Sequence, residues 1–176
     1  MNIKQPSPQI DYMLAETRSQ LVSFSQMADN KANILMSISS VLATLAFSKL
    51  SDSAWTIPVI VLVLCLLGSI FFALMAVVPS MHLLRPEKKN TKDASFNTLF
   101  FGDYTLVSYN DYLAHMEEVM NDSNQLYEVQ VQEIYQAGKY LQNTKFNHIK
   151  YGYVLFFVGL LLSGSIYVVQ LILLRG

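Results

Sequence analysis

Catalytic chemistry is what this chain has least of. Cys65 is its only cysteine, so no intrachain disulfide can form and the redox compartment stays unreadable. His82, His115 and His148 stand far apart, with no carboxylate or cysteine at metal-ligand spacing, and each reads as an ordinary solvated histidine. The glycine loop that cradles phosphates in nucleotide triphosphatases is missing. Glu117 and Glu118 are adjacent, so on a helix they point in different directions and form no acid–base pair. An enzyme is not expected, and neither a metal nor a resident cofactor is called for. A formal net charge of −1 supplies no basic stripe for successive phosphates, which argues against nucleic acid polymers as partners. Nor do the first 30 residues hold an apolar core before a small-residue cleavage site; the first apolar stretch is expected to act as its own insertion signal.

Charge is also missing from long blocks. Only 14% of residues are charged, against 52% hydrophobic, and the mean hydropathy is +0.32. Trp55 to Val78 and Tyr151 to Leu174 are uncharged runs of 24 residues each, more than the roughly 20 that a spanning helix needs. Ala32 to Ser48 is a third, weaker run of 17 residues that includes Asn33, Ser37, Ser39, Ser40, Thr44 and Ser48. The short Lys49–Ser53 link requires it to cross as well if the next span starts on that side. Ten basic residues (Lys4, Arg18, Lys31, Arg85, Lys88, Lys89, Lys92, Lys139, Lys145 and Lys150) fall on one side of these spans, against Lys49 and Arg175 on the other. The richer side should be cytoplasmic, with the N-terminus inside.

The expected architecture is an all-α membrane protein. A cytoplasmic N-terminal helix (1–31) leads into span one (32–50); span two covers 55–78, a cytoplasmic sensor region 79–150 and span three 151–174. Extensions of the first and third spans should form much of the sensor, because no Gly or Pro interrupts Asp11 to Leu42 and none but Gly138 and Gly152 follows Ser123 before Gly159. Met13, Leu14, Leu21, Phe24 and Met27 fall near one face of the first helix. Asn30, Asn33, Ser37, Ser40, Thr44 and Ser48 recur at steps of 3, 4, 3, 4 and 4 along one face. In lipid such a stripe turns toward protein or water; packing against the other spans is the first expectation, a subunit interface or aqueous path the second. Gly159 and Ser163 form a small-xxx-small pair.

In the sensor region, Leu99–Tyr104 reads as a short strand or turn closed by Gly102-Asp103. Ser108 with Asp111 reads as a helix start. Leu113, Met120, Tyr127, Ile134 and Leu141 then recur every seven residues, as on a packed helix that Asn121–Asn124 can divide, with Ser123 as cap.

Binding has more material than catalysis. Asp29, Asn30 and Lys31, with Asn33, offer charge, donors and acceptors near the cytoplasmic surface. Arg85, Lys139 and Lys145 can meet an anion, and Phe100, Phe101 or Tyr135 can stack on a ring. Each also has a plainer reading: Lys31 snorkels, Arg85 meets lipid headgroups, the aromatics are core.

Three pieces of the chain, in order and spacing, resemble the transmembrane effectors of bacterial Pycsar antiphage systems. They are Met27-Ala28-Asp29-Asn30-Lys31-Ala32 entering the first span, Leu99-Phe100-Phe101-Gly102 in the middle, and Ile134-Tyr135 to Lys145-Phe146 running into the last span. The resemblance covers about Gln26 to Leu174. It implies an inner-membrane effector paired with a separate pyrimidine cyclase and activated by cyclic CMP or cyclic UMP. Its action would impair the bacterial membrane and kill the infected cell before phage mature. Three spans are too few to enclose a wide pore, so homo-oligomers in the lipid bilayer are expected. The site residues Asp29, Asn30, Lys31, Arg85, Phe101, Tyr135, Lys139 and Lys145 rest on chemistry and not on the resemblance. The alternative is a non-enzymatic accessory membrane subunit that recruits a partner through its cytoplasmic helix.

Overall fold

The computed structural model describes residues 3, 6–50, 56–78, 90–93 and 96–175, and among them every regular element is a helix. In chain order these are α1 (Pro8–Phe47), α2 (Thr56–Val77), α3 (Phe101–Tyr104), α4 (Tyr109–Asn121), α5 (Ser123–Tyr140), a π-helical segment (Leu141–Phe146) and α6 (Asn147–Arg175). The all-α expectation holds. Two helical stretches, Thr56–Val77 and Ser123–Leu173, are long and apolar enough to cross a membrane. The first apolar run of α1, diluted by its hydroxyls and amides, does not reach that standard. Most of the Lys49–Ser53 link, Trp55 at the head of the second run, and Arg85 fall outside the described residues.

The chain divides into two units, one of residues 1–24 and 79–141, the other of 25–78 and 142–176. α1 contributes to both. It starts at Pro8, three residues before the expected Asp11, because proline suits a first helical turn whose N–H groups lack partners anyway. No Gly or Pro interrupts its 40 residues.

In the first unit, α1 lies along α5. Tyr127 Oη donates to Asp11 Oδ1 (2.7 Å), Arg18 Nη2 pairs with Glu133 Oε1 (3.0 Å), and Leu14 is buried. Asp11, Leu14, Arg18 and Leu21 are spaced 3, 4 and 3, so they share one face. Met13, Phe24 and Met27, expected on the packed face, are exposed, since that face is narrower than five residues allow.

The seven-residue series is interrupted. α4 stops at Asn121, and Asp122 in extended conformation (φ −118°, ψ 109°) caps α5 by accepting from Asn124 N and Gln125 N. The cap is therefore Asp122 and not Ser123, whose position is already helical. The break shifts the phase, so α4 buries Val119 while Leu113 and Met120 are exposed. Ser108 caps α4 as expected, accepting from Asp111 N. Leu99–Tyr104 is neither strand nor plain turn: its second half is the single turn α3, where the Phe100 ring lies so close to Gly102 that a Cβ there would sit 2.4 Å from Phe100 Cε1.

From Tyr127 the repeat resumes with Ile134 and Leu141, and continues as Ile149, Phe156 and Ser163, buried or half-buried throughout. The step from Leu141 to Ile149 is eight and not seven. The wide π turn at Leu141–Phe146 takes up that extra residue.

In the second unit α2 packs along α6, and α1 joins them through small residues. Ala28, Ala32, Leu35, Ser39, Ala43 and Ala46 form the buried face of α1, stepping 4, 3, 4, 4 and 3. Ala46 clusters with Val59 and Val63 of α2, and Leu35 fills the gap left by Gly152 of α6, where a Cβ would come 2.9 Å from Leu35 Cδ2. Gly159 admits Cys65 of α2, and Ser163 Oγ donates to Pro58 O (2.8 Å). The Gly159/Ser163 pair is thus spent within the chain. Close approach of this kind matters most in lipid, where burial of apolar surface gives little drive and van der Waals packing must hold helices together.

Candidate functional site

The junction residues of α1 sit where the π segment meets them. Lys145 Nζ has three protons and uses them on Ser25 Oγ (2.9 Å), Asp29 Oδ1 (2.6 Å) and Asp29 Oδ2 (2.8 Å). The lysine side chain is only 12% exposed, the aspartate 36%. Two residues chosen as ligand contacts are therefore brought together, but as a pair that neutralises itself. Lys145 is a strut between α1 and the π segment, with no proton left for an incoming anion. Asn30 and Lys31 are exposed, and the Lys31 carbonyl accepts from Tyr153 Oη (3.4 Å).

The other candidates lie in the first unit. Phe101 is exposed and tilted against Phe100 (centroids 5.0 Å apart), while Tyr135 and Lys139 stand one turn apart on the exposed face of α5. Arg85 is outside the described residues.

What sequence reasoning missed is a polar seam. Phe96, Asn97 and Thr98 are buried without belonging to a helix, so their backbone groups need side-chain partners. Asn97 N donates to Asp103 Oδ2 (2.9 Å), Asn97 Nδ2 to Gln136 Oε1 (2.9 Å), Gln132 Nε2 to Phe96 O (3.1 Å) and Tyr112 Oη to Thr98 O (3.1 Å). Burial, then the charge of neighbouring Tyr104, pushes the Tyr112 phenol above its ordinary pKa. His115 is not a solvated histidine: its Nε2 lies 2.9 Å from Thr98 Oγ1 and Phe96 meets the ring edge-on at 5.7 Å.

Beside this seam lies a cavity of about 390 Å³. Its walls are Asn90, Thr91 and Lys92 of the preceding turn, Val107, and Asp111, Ala114, His115 and Glu118 of α4. The four α4 residues are spaced i, i+3, i+4 and i+7, one helix face. That spacing was the only sequence signal for the cavity. None of the seven candidate residues that the structure describes is among its lining residues. No cluster of His, Cys, Asp and Glu suited to a metal occurs among the described residues.

A family model for the Pycsar effector protein domain matches residues 13–173. The chain belongs to the Pycsar effector family. No curated protein and no solved structure matches it. The Pycsar effector domain so delimited takes in nearly all of both units, including the polar seam, the cavity and the Asp29–Lys145 pair. As a Pycsar effector with two apolar helices of spanning length, the chain is a membrane protein.

Proposed function

We propose that this Pycsar effector senses a cyclic pyrimidine mononucleotide, cyclic CMP or cyclic UMP, made by a separate pyrimidine cyclase, and impairs the bacterial inner membrane, so that the infected cell dies before phage mature. One observation carries the reading: α1 and the α5–π–α6 run each contribute residues to both units, so a ligand that shifts either run acts on a helix that both units share. A ligand acts through them only if it binds one arrangement more tightly than the other.

Three spans fit this reading. α1 packs on α2 and α6 through Ala46, Val59, Val63 and Leu35, which supports a crossing beside them despite its weaker hydropathy. The basic residues then put the N-terminus in the cytoplasm. The polar stripe supports homo-oligomers. Asn30, Asn33, Ser37, Ser40, Thr44 and Ser48 are all exposed, contrary to the first expectation that they pack within the chain. At 3.6 residues per turn the stripe is centred about 150° from the buried Ala28–Ala46 face. Thr44 and Ser48 bond their own backbone, at Ser40 O and Leu45 O, which lowers but does not remove the cost of facing lipid. Further copies, or water between copies, would cover the stripe.

Calorimetry on purified protein with cyclic CMP and cyclic UMP tests the sensing step; a folded protein that takes up neither overturns it. Dye release from ligand-treated proteoliposomes tests the membrane step, and intact vesicles at saturating ligand refute it. Asn30→Leu should keep ligand binding and lose killing, so a fully active variant counts against the coupling role of the stripe. The accessory-subunit reading draws on the exposed row Tyr109, Leu113 and Met120 of α4. It predicts that polar substitutions along that row abolish partner capture and toxicity while ligand has no effect.

A further inference from the structure

We infer that the groove between α1 and α6 holds an anionic phospholipid, with Lys31 and Lys150 on its phosphate. The inference rests on the three-span reading above and is independent of the cyclic nucleotide.

Charge is the first observation. Among the described residues of the second unit Asp29 is the only carboxylate, and Lys145 occupies both of its oxygens. Two residues along an α-helix turn the chain by about 200°, so Asp29 and Lys31 leave α1 on nearly opposite sides. Lys31 and Lys150 are exposed and make no ion pair among the described residues. Two cations at this end of the unit are therefore left without a counter-charge.

Placement is the second. α1 and α6 run parallel: the Lys31 carbonyl meets Tyr153 Oη and Leu35 meets Gly152, at offsets of 122 and 117 residues. Lys31 and Lys150, 119 apart in sequence, fall within that range and stand level. Ile34 and Tyr153 follow about 4.5 Å further along the axes, and Ile38 and Phe157 about 10.5 Å. On each helix the three residues share one face, spaced 3 and 4, and Ile34, Ile38 and Phe157 are exposed. The Tyr153 hydrogen bond to the Lys31 carbonyl joins the two faces into one groove. α2 does not cover it. That helix meets α6 at Tyr151, Leu155 and Gly159, a face roughly opposite that of Lys150, Tyr153 and Phe157 at about 100° per residue. The hydroxyl stripe of α1 lies about 100° from the lysine face, so copies that meet on the stripe also leave the groove open.

Level cations above two apolar walls match an anionic headgroup with its acyl chain beneath. Basic pockets between spans hold anionic headgroups in this way, and a tyrosine at the same depth suits the interface. A free phosphate would engage the lysines and leave the apolar walls bare, which favours the lipid.

The test is lipid quenching on the full chain in vesicles. Trp55 is the only tryptophan, so Phe157→Trp in a Trp55→Phe background reports the groove alone, and circular dichroism checks that each variant folds. Brominated phosphatidylglycerol and brominated phosphatidylcholine, each mixed with the unbrominated form of the other, give their relative binding. Phosphatidylglycerol should bind about tenfold or more tightly. Lys31→Gln and Lys150→Gln should each lower that preference about fivefold, and the double variant should abolish it. Lys49→Gln, exposed just past the other end of α1, should leave it unchanged. Quenching that follows mole fraction, or a preference that neither lysine alters, overturns the site. Competition by dissolved glycerol 1-phosphate overturns the lipid assignment in favour of a free phosphate, and quenching by neither lipid overturns the site in favour of a protein surface. Ile38→Trp in the same background tests the three-span reading. If brominated phosphatidylcholine leaves it unquenched, α1 is outside the bilayer and both readings fall; quenching there without a preference at the groove overturns the site alone.

Discussion

Removing the charge of Asp29 should cost more than removing that of Lys145, although the two form one pair. Asp29→Asn leaves an ammonium whose side chain is 12% exposed, with Ser25 as its remaining oxygen partner besides the new amide. Lys145→Met leaves a carboxylate on a side chain 36% exposed, which water can reach, and replaces the lysine stem by apolar atoms of similar length. Breaking a fully buried pair costs about 3–5 kcal/mol, and an exposed one about 0.2–1 kcal/mol. The geometry here lies between, so Asp29→Asn should cost about 2 kcal/mol and Lys145→Met about 1 kcal/mol. For a chain of this size about 2 kcal/mol corresponds to roughly 4–8 °C in Tm. Thermal unfolding in one detergent, followed by circular dichroism, gives the order, and the double variant closes the cycle. The double variant should be no less stable than Asp29→Asn alone, since the stranded ammonium is gone. If Lys145→Met is the more damaging single change, or if both shift Tm by less than a degree, the strut is not what holds α1 to the π segment.

Three further outcomes follow from the packing. The hydrogen bond to Asp11, then burial, hold the Tyr127 phenol above its ordinary pKa of 10.0. The neutral phenol is the form the fold favours, so its stabilisation is complete below about pH 10 and is lost as pH rises through the higher folded value. Tyr127→Phe should flatten this alkaline decline in a stability–pH series, and an unchanged slope would refute the assignment. Gly159→Ala places a Cβ 2.4 Å from Cys65 Cβ, whereas at Gly164 a Cβ meets nothing within 4 Å. The first should destabilise by about 1–3 kcal/mol; the second should be neutral or slightly stabilising by helix propensity. Equal effects in detergent unfolding would mean that α2 and α6 do not approach through Gly159. Ser108→Ala removes the α4 cap and should cost about 1 kcal/mol, visible as earlier hydrogen exchange at Asp111 and Tyr112.

Helix type and position were legible because they depend on local pattern. Uncharged runs, the lack of breakers in α1 and the Ser108/Asp111 signature marked elements that the structure contains. Which face a helix buries was less legible. On α1 the eye goes to Asn30, Asn33 and the hydroxyl row, yet the packed face is the alanine row, whose small residues carry little hydropathy signal but allow close approach. The unbroken heptad failed at Asp122, where one extended residue resets the phase. As for the site, Asp29 and Lys145 were singled out as separate ligand contacts, and nothing in the sequence shows that two opposite charges 116 residues apart will pair with each other. The polar seam was invisible because Phe96–Thr98 has no periodicity; its character comes from Gln132, Gln136, Tyr112 and His115 arriving from other elements.

The π segment behaves like a dislocation in a one-dimensional crystal. On either side the buried lattice runs in sevens, Tyr127–Ile134–Leu141 before it and Ile149–Phe156–Ser163 after it, and one surplus residue is trapped between them. Dislocations can be healed. A chain shortened by one residue between Gln142 and Thr144 could run as unbroken α-helix with a perfect repeat, and by propensity alone it would be the better helix. It would also turn its lysine around the axis by part of one residue's roughly 100°, the surplus that the six-residue π segment spreads along its length, and so shift it from its present line on Asp29. The flaw in the lattice is therefore what sets the compass bearing of a single ammonium group.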